Sequence, residues 1–102
     1  RPAQHLVSRL GILGLTLTAD VSSMLPGLRT RQGVVVAAST QQAARFRDGQ
    51  LLPGDVIRAL NGRPIADLAG LRAALDELGA RDAVVLHVER GGELRYVSFL
   101  LE

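Results

Sequence analysis

The segment Leu52-Pro53-Gly54-Asp55-Val56-Ile57-Arg58-Ala59-Leu60-Asn61-Gly62 restricts the possible fold more than any other part of this chain. Proline presets φ at about −65° and glycine tolerates positive φ, so Pro53-Gly54 reverses the chain tightly. Val56, Ile57 and Leu60 are strand formers, and Asn61-Gly62 is a strong hairpin-turn signal. The segment therefore reads as a turn–strand–turn unit, with Asp55 capping the first turn.

Around this unit the chain reads as short strands and one firm helix. Residues 1–8 read as linker, ahead of a domain over 9–102. Leu13, Leu15 and Leu17 alternate with Gly14, Thr16 and Thr18, a period-two pattern that makes Leu10 to Thr18 a strand. Gly11 and Gly14 mark a place where another backbone comes close. Asp20 to Leu25 reads as a short helical turn stopped by Pro26-Gly27. Gly33-Val34-Val35-Val36-Ala37-Ala38 is a strand, and Gln41 to Arg47 a short helix ended at Asp48-Gly49. Pro64-Ile65 makes at most an edge piece, because proline donates no ladder hydrogen bond. From the capping Asp67, Leu68, Leu71, Leu75 and Leu78 recur at helical spacing, and Gly79 supplies the stop. Ala83–Arg90 and Glu93–Leu101 pair as a hairpin across Gly91-Gly92. The fold class is α+β: five to six strands in a partly open barrel or sandwich, capped by one main helix and one or two short helices.

Composition narrows the function classes. At 102 residues the chain makes one domain with a modest core. Two Phe, one Tyr and no Trp leave the core to Leu, Val, Ile and Ala and offer few rings for stacking bases. All twelve basic residues are Arg, scattered among acids for a net charge of +2, which is a mixed solvated surface and not a nucleic-acid stripe. The absence of cysteine excludes disulfides and thiolate metal sites and leaves the redox compartment open. His5 and His87 are too isolated to suggest zinc, so no metal or cofactor is expected. No apolar run reaches the ~18 residues of a membrane span and no signal peptide is visible, so no membrane contact is expected. The opening Arg1-Pro2-Ala3 lacks an initiator Met and reads as the start of a domain cut from a longer protein. No serine lies in a Gly-x-Ser-x-Gly elbow and neither histidine has a supporting triad motif, so no catalytic residue is assigned and the domain is read as non-catalytic.

The order of a glycine-rich strand, a Gly-Val-Val-Val strand, Leu-Pro-Gly-Asp-Val-Ile…Asn-Gly, a Leu-rich helix and a C-terminal hairpin resembles a PDZ domain over nearly the whole chain. It is most similar to the PDZ domains of bacterial HtrA/Deg-type trypsin-like serine proteases. Leu10-Gly11-Ile12 resembles the carboxylate-binding loop, Leu71-Arg72-Ala73-Ala74-Leu75 the helix beside the groove, and Arg90-Gly91-Gly92-Glu93 the last hairpin turn. The resemblance implies the bacterial, circularly permuted strand order, in which the strand that opens animal PDZ domains is here the last. The chain departs from the family in a slightly longer stretch through Arg45–Gln50. The loop register can also be set at Leu13-Gly14-Leu15 instead of Leu10-Gly11-Ile12.

What the resemblance implies is capture of a hydrophobic C-terminus by β-strand addition. The backbone N–H groups of Leu10, Gly11 and Ile12 would receive the carboxylate, with the charge of Arg9 at the rim. Ile12, Leu13, Gly14 and Leu15 would offer the strand edge, and Leu10, Ile12, Leu68 and Leu75 the pocket for an apolar last residue. Within that pattern Leu68, Arg72 and Leu75 form the helix stripe facing the groove, while Leu71, Ala74 and Leu78 face the core. Leu68 in place of a groove histidine implies an aliphatic preference at the upstream peptide position. The implied partners are C-terminal peptides and the parent's own protease domain; the parent would be a serine protease of the periplasm or cell envelope. The alternative is a structural or assembly PDZ domain of a secretion-system or membrane-protease component, indifferent to free C-termini.

Overall fold

The turn–strand–turn unit forms as its residues dictate. The Asp55 N–H donates to the Leu52 carbonyl at 3.0 Å, closing the Pro-Gly turn. At the far end Asn61 (φ 50°) and Gly62 (φ 81°) both adopt the left-handed conformation of a two-residue hairpin turn.

The computed structural model describes residues 2–40 and 50–101. The elements run α1 (Pro2–His5), β1 (Leu6–Val7), β2 (Ile12–Thr16), α2 (Ala19–Ser22), β3 (Val34–Ser39), β4 (Val56–Leu60), β5 (Arg63–Pro64), α3 (Leu68–Asp76), β6 (Ala83–Arg90) and β7 (Glu93–Leu100). One antiparallel sheet carries the strands in the order β1-β2-β3-β4-β6-β7, with β5 paired to β4. The expected short helix over Gln41–Arg47 lies outside the described residues.

The α3 helix packs its Leu71 and Ala74 against Val34, Val36, Ile57, Leu60, Val84, Leu86, Val88, Val97 and Phe99, all buried. Val34, Val35 and Val36 are buried in succession because both faces of β3 are covered. Beneath the 21–28 segment a second cluster joins Leu17, Val35 and Val56 to Val21, Leu25 and Leu28. Gly33 is required where β3 begins: its φ is 143° and a Cβ there would lie 2.3 Å from the Ile57 carbonyl oxygen.

Four differences from the sequence reading bear on the site. Residues 1–8, expected as linker, contain α1 and β1, and Val7 is 4% exposed within the main core. With β1 and β5 the sheet holds seven strands, two of them only two residues long. The glycine-rich strand is shorter than its alternation suggests, because Leu10 and Gly11 turn into β2 and Leu17 donates instead to the Gly33 carbonyl. The main helix also ends earlier than Gly79, with Glu77 as a right-handed C-cap. There the Glu77 and Leu78 N–H groups close the last turn on the Ala74 and Leu75 carbonyls, and Arg9 adds donors to the carbonyls of Leu75 and Leu78.

Candidate functional site

α3 is pinned to the segment around β2 at both ends. Thr16 Oγ1 accepts the Leu68 N–H at 3.0 Å, and Asp67 Oδ1 accepts the Gly70 N–H at 2.7 Å, so two of the unpaired amides at the helix start are satisfied. At the other end Arg9 Nη1 donates to the Leu75 and Leu78 carbonyls at 2.5 and 2.9 Å. That places a cation at the negative end of the helix dipole. At Gly14 the strand lies close to both β3 and the helix. A Cβ there would stand 2.8 Å from Val34 Cγ1 and 3.3 Å from Leu68 Cδ1, so a larger residue would have to push the helix or β3 aside.

Leu10, Ile12, Leu68 and Leu75 all lie in the one apolar cluster that forms the main core of the domain. Leu13 and Leu15 are half-buried, and a bulge between Leu13 and Gly14 shifts the register against β3. The groove-facing and core-facing helix stripes do not differ in burial: Leu68 and Leu75 are 9% and 2% exposed, almost as covered as Leu71 and Ala74.

The cover is β1. It pairs antiparallel with β2, Leu6 opposite Leu13 and Val7 opposite Ile12, and Val7 joins the same apolar cluster. Arg72 Nη2 holds β1 from the helix side, donating to the carbonyls of Gln4 (2.7 Å) and Leu6 (2.8 Å). The Leu10 and Gly11 N–H groups, expected to face a carboxylate, donate to the Val7 and Ser8 carbonyls at 3.1 Å each. Arg9 lies at the end of α3, not at the rim of that turn. A cavity of about 220 Å³ remains between the β1 segment and α3, bounded by Leu6–Arg9, Arg72, Leu75 and Asp76.

Two buried acids brace the framework away from this cavity. Asp55 is fully buried and takes a two-pronged ion pair from Arg90 (Nε to Oδ1 and Nη2 to Oδ2, both 2.7 Å) while accepting the Leu52 N–H at 2.9 Å. Those hydrogen bonds, with the charge of Asp55, outweigh burial and raise the Arg90 guanidinium above its ordinary pKa. Glu89, 1% exposed, clasps the loop before β3 by accepting the N–H groups of Arg29 (2.8 Å) and Thr30 (2.9 Å) and the Thr30 hydroxyl. Burial pushes the Glu89 carboxyl up, but the Thr30 hydroxyl, the two backbone N–H groups and the charge of Arg58 more than reverse this and hold it below the ordinary carboxylate value. Among the described residues no group of three or more His, Asp and Glu comes together in a way that holds a metal ion.

An open antiparallel sheet with one main helix packed against it is the architecture of a PDZ-type domain. The PDZ domain family matches residues 11–101, and the chain belongs to it. Among curated proteins, a probable periplasmic serine protease do/HhoA-like of Haemophilus influenzae is 32% identical over 93 residues, which cover 91% of this chain and 20% of that protein. The periplasmic serine endoprotease DegP of Escherichia coli strain K12 is 28% identical over 93 residues, covering 91% of this chain and 19% of its own length. The chain thus spans about a fifth of the length of these relatives. Two solved structures share the fold. The HtrA3 PDZ domain bound to a phage-derived ligand (FGRWV) superposes with a TM-score of 0.68 at 26% identity, over 91% of this chain and 83% of that one. The HtrA-type protease AlgW with a decapeptide gives 0.70 at 27% identity, over 90% of this chain and 28% of that one.

Proposed function

We propose that this domain binds the C-terminal segment of partner polypeptides, which adds as a strand to β2 and seats its last, apolar side chain among Leu10, Ile12, Leu68 and Leu75. One observation carries the reading. Leu6-Val7 lies antiparallel on the β2 edge with Val7 buried in that cluster, which is the geometry of strand addition acted out by the chain itself. The HtrA3 PDZ domain and AlgW, each described with a peptide, support the same use of the groove.

In the bound state the N–H groups of Leu10, Gly11 and Ile12 receive the terminal carboxylate, and Arg72, released from the β1 carbonyls, contributes positive charge from the helix side. The edge from Ile12 through Leu15 supplies the ladder, and Leu68 favours an aliphatic side chain upstream of the last residue. Burying one aliphatic side chain contributes about 1.5–3 kcal/mol, and each charge-assisted hydrogen bond about as much again. Association and ordering costs offset most of this. A net of roughly −5 to −8 kcal/mol corresponds to affinities from micromolar to sub-millimolar. A module this weak works through local concentration, as the recognition domain of a larger serine protease of the periplasm or envelope whose protease domain is its second partner.

The test is titration of the ¹⁵N-labelled domain with a hexapeptide ending in Val, as free acid and as amide. The free acid shifts the amide signals of Leu10–Leu15 and Leu68–Leu75, and amidation weakens binding about tenfold or more, the loss of one or two charge-assisted bonds. Equal affinity for the two peptides overturns carboxylate capture.

A further inference from the structure

We infer that Leu6-Val7 is a built-in competitor for the groove, so that the domain closes its own binding site and opens it only to a ligand that displaces β1. The inference rests on the peptide-binding reading and concerns how that same site is regulated.

The contacts of the β1 segment overlap those that the proposed peptide would make. Val7 lies in the apolar cluster opposite Ile12, where a last side chain would seat, and Leu6 is opposite Leu13 on the ladder. Arg72, reaching from the helix, is engaged with the carbonyls of Gln4 and Leu6. The Leu10 and Gly11 N–H groups are spent on the Val7 and Ser8 carbonyls, within the turn that joins β1 to β2. Release of β1 frees those two amides together with the pocket, so the carboxylate site and the side-chain site open in one step.

β1 is also built to leave. It is two residues long, Leu6 is 47% exposed, and the helix before it is a single turn of four residues. Elements this short, with few buried contacts, open at a fraction of the global unfolding free energy. The rest of the sheet does not depend on it, since β2 remains paired to β3 over its whole length.

Self-occlusion also sharpens selection. Val7 continues into Ser8 and has no carboxylate to offer, so an internal peptide segment gains nothing over β1 beyond what β1 already has. A free C-terminus with an apolar last residue gains the charge-assisted bonds that β1 lacks. The apparent affinity falls by the fraction of molecules with the groove open, which suppresses weak internal ligands below detection.

The experiment uses the full chain of 102 residues and two substitutions. Val7→Ser weakens the anchor; Leu6→Pro removes one ladder N–H without taking a side chain from the core. Urea unfolding and the β6–β7 amide spectrum establish that each variant is folded. A hexapeptide ending in Val is titrated into all three chains, with hydrogen exchange followed at residues 6 and 7. Both variants are expected to bind about tenfold more tightly than the parent, the size of one buried aliphatic anchor. Saturating the parent with peptide is expected to remove exchange protection at Leu6 and Val7 while leaving β6–β7 unchanged. Equal affinity in all three chains, or binding that leaves Val7 protected, overturns self-occlusion and leaves the peptide-binding reading standing. If none of the three binds, both fall, and an assembly role remains.

Discussion

Replacing Asp55 by Ala tests whether the Pro-Gly-Asp block is held by its turn or by its ion pair. The turn alone predicts a small effect, because one backbone N–H, that of Leu52, would lose its acceptor. The structure predicts a larger one. Asp55 is fully buried and accepts three hydrogen bonds, two of them from Arg90. Removing one partner of a buried pair costs about 3–5 kcal/mol, chiefly by stranding the other charge. Arg90 keeps 28% of its side chain exposed, so it finds some water when abandoned, and Asp55→Ala falls at the lower end, about 3 kcal/mol. Arg90→Ala strands the fully buried carboxylate instead and costs more, about 4–5 kcal/mol. The double variant costs far less than the sum, with a coupling of about 2 kcal/mol or more. Urea unfolding midpoints at constant slope measure all three, and Asp55→Ala alone lowers Tm by roughly 12–20 °C in a domain of this size. An Asp55→Ala cost below about 1 kcal/mol, or an additive double variant, refutes the argument.

Gly33→Ala places a methyl group 2.3 Å from the Ile57 carbonyl at a φ of 143°, and is expected to destabilise by at least ~2 kcal/mol; calorimetry showing an unchanged Tm contradicts the close approach. Thr16→Val removes the acceptor for the Leu68 N–H, expected to cost about 1 kcal/mol in urea unfolding. Because that bond holds α3 against β2, the same variant also weakens peptide binding, a loss that Ser at this position restores. Glu89 gives a pH dependence of known sign. Its folded carboxyl titrates below its unfolded value, so the stabilisation is complete above the ordinary glutamate pKa of about 4.3 and is lost as pH falls through the folded value. Glu89→Gln is expected to lower stability at pH 7 and to flatten the acid limb of the stability–pH curve; an acid limb as steep as the parent's rules out this role.

The residues that the sequence makes legible are those whose partners are local. Asn61-Gly62 and Gly91-Gly92 specify turns by their own backbone preferences, and Ala83–Arg90 announces its burial by alternation. Asp67 caps the helix three residues on, as its position implies. Of the expected site residues, Leu10, Ile12, Leu68 and Leu75 are all members of the main buried core, which their apolar spacing alone makes legible. What remained hidden depends on contacts across the fold. Leu6-Val7 is too short for any period to appear, and becomes a strand only because β2 offers an edge and Leu75 an apolar wall. Arg9 and Arg72 resemble ordinary solvated arginines until α3 and β1 are placed beside them. Glu89 reads as one more charge in a strand, and its clasp on Arg29 and Thr30 spans about sixty positions of chain.

The end of α3 gathers both margins of the domain at one corner. Arg9, just after β1, donates to the last carbonyls of the helix; Gly79 and Asp82 then exchange hydrogen bonds, and Arg81 and Asp82 bracket Leu101 through its carbonyl and its N–H. The turn before β2 and the end of the last strand are therefore tied to the same end of α3. A substitution that loosens the end of α3 would therefore disturb the turn before β2 and the last strand together, although the two lie about ninety positions apart in the chain.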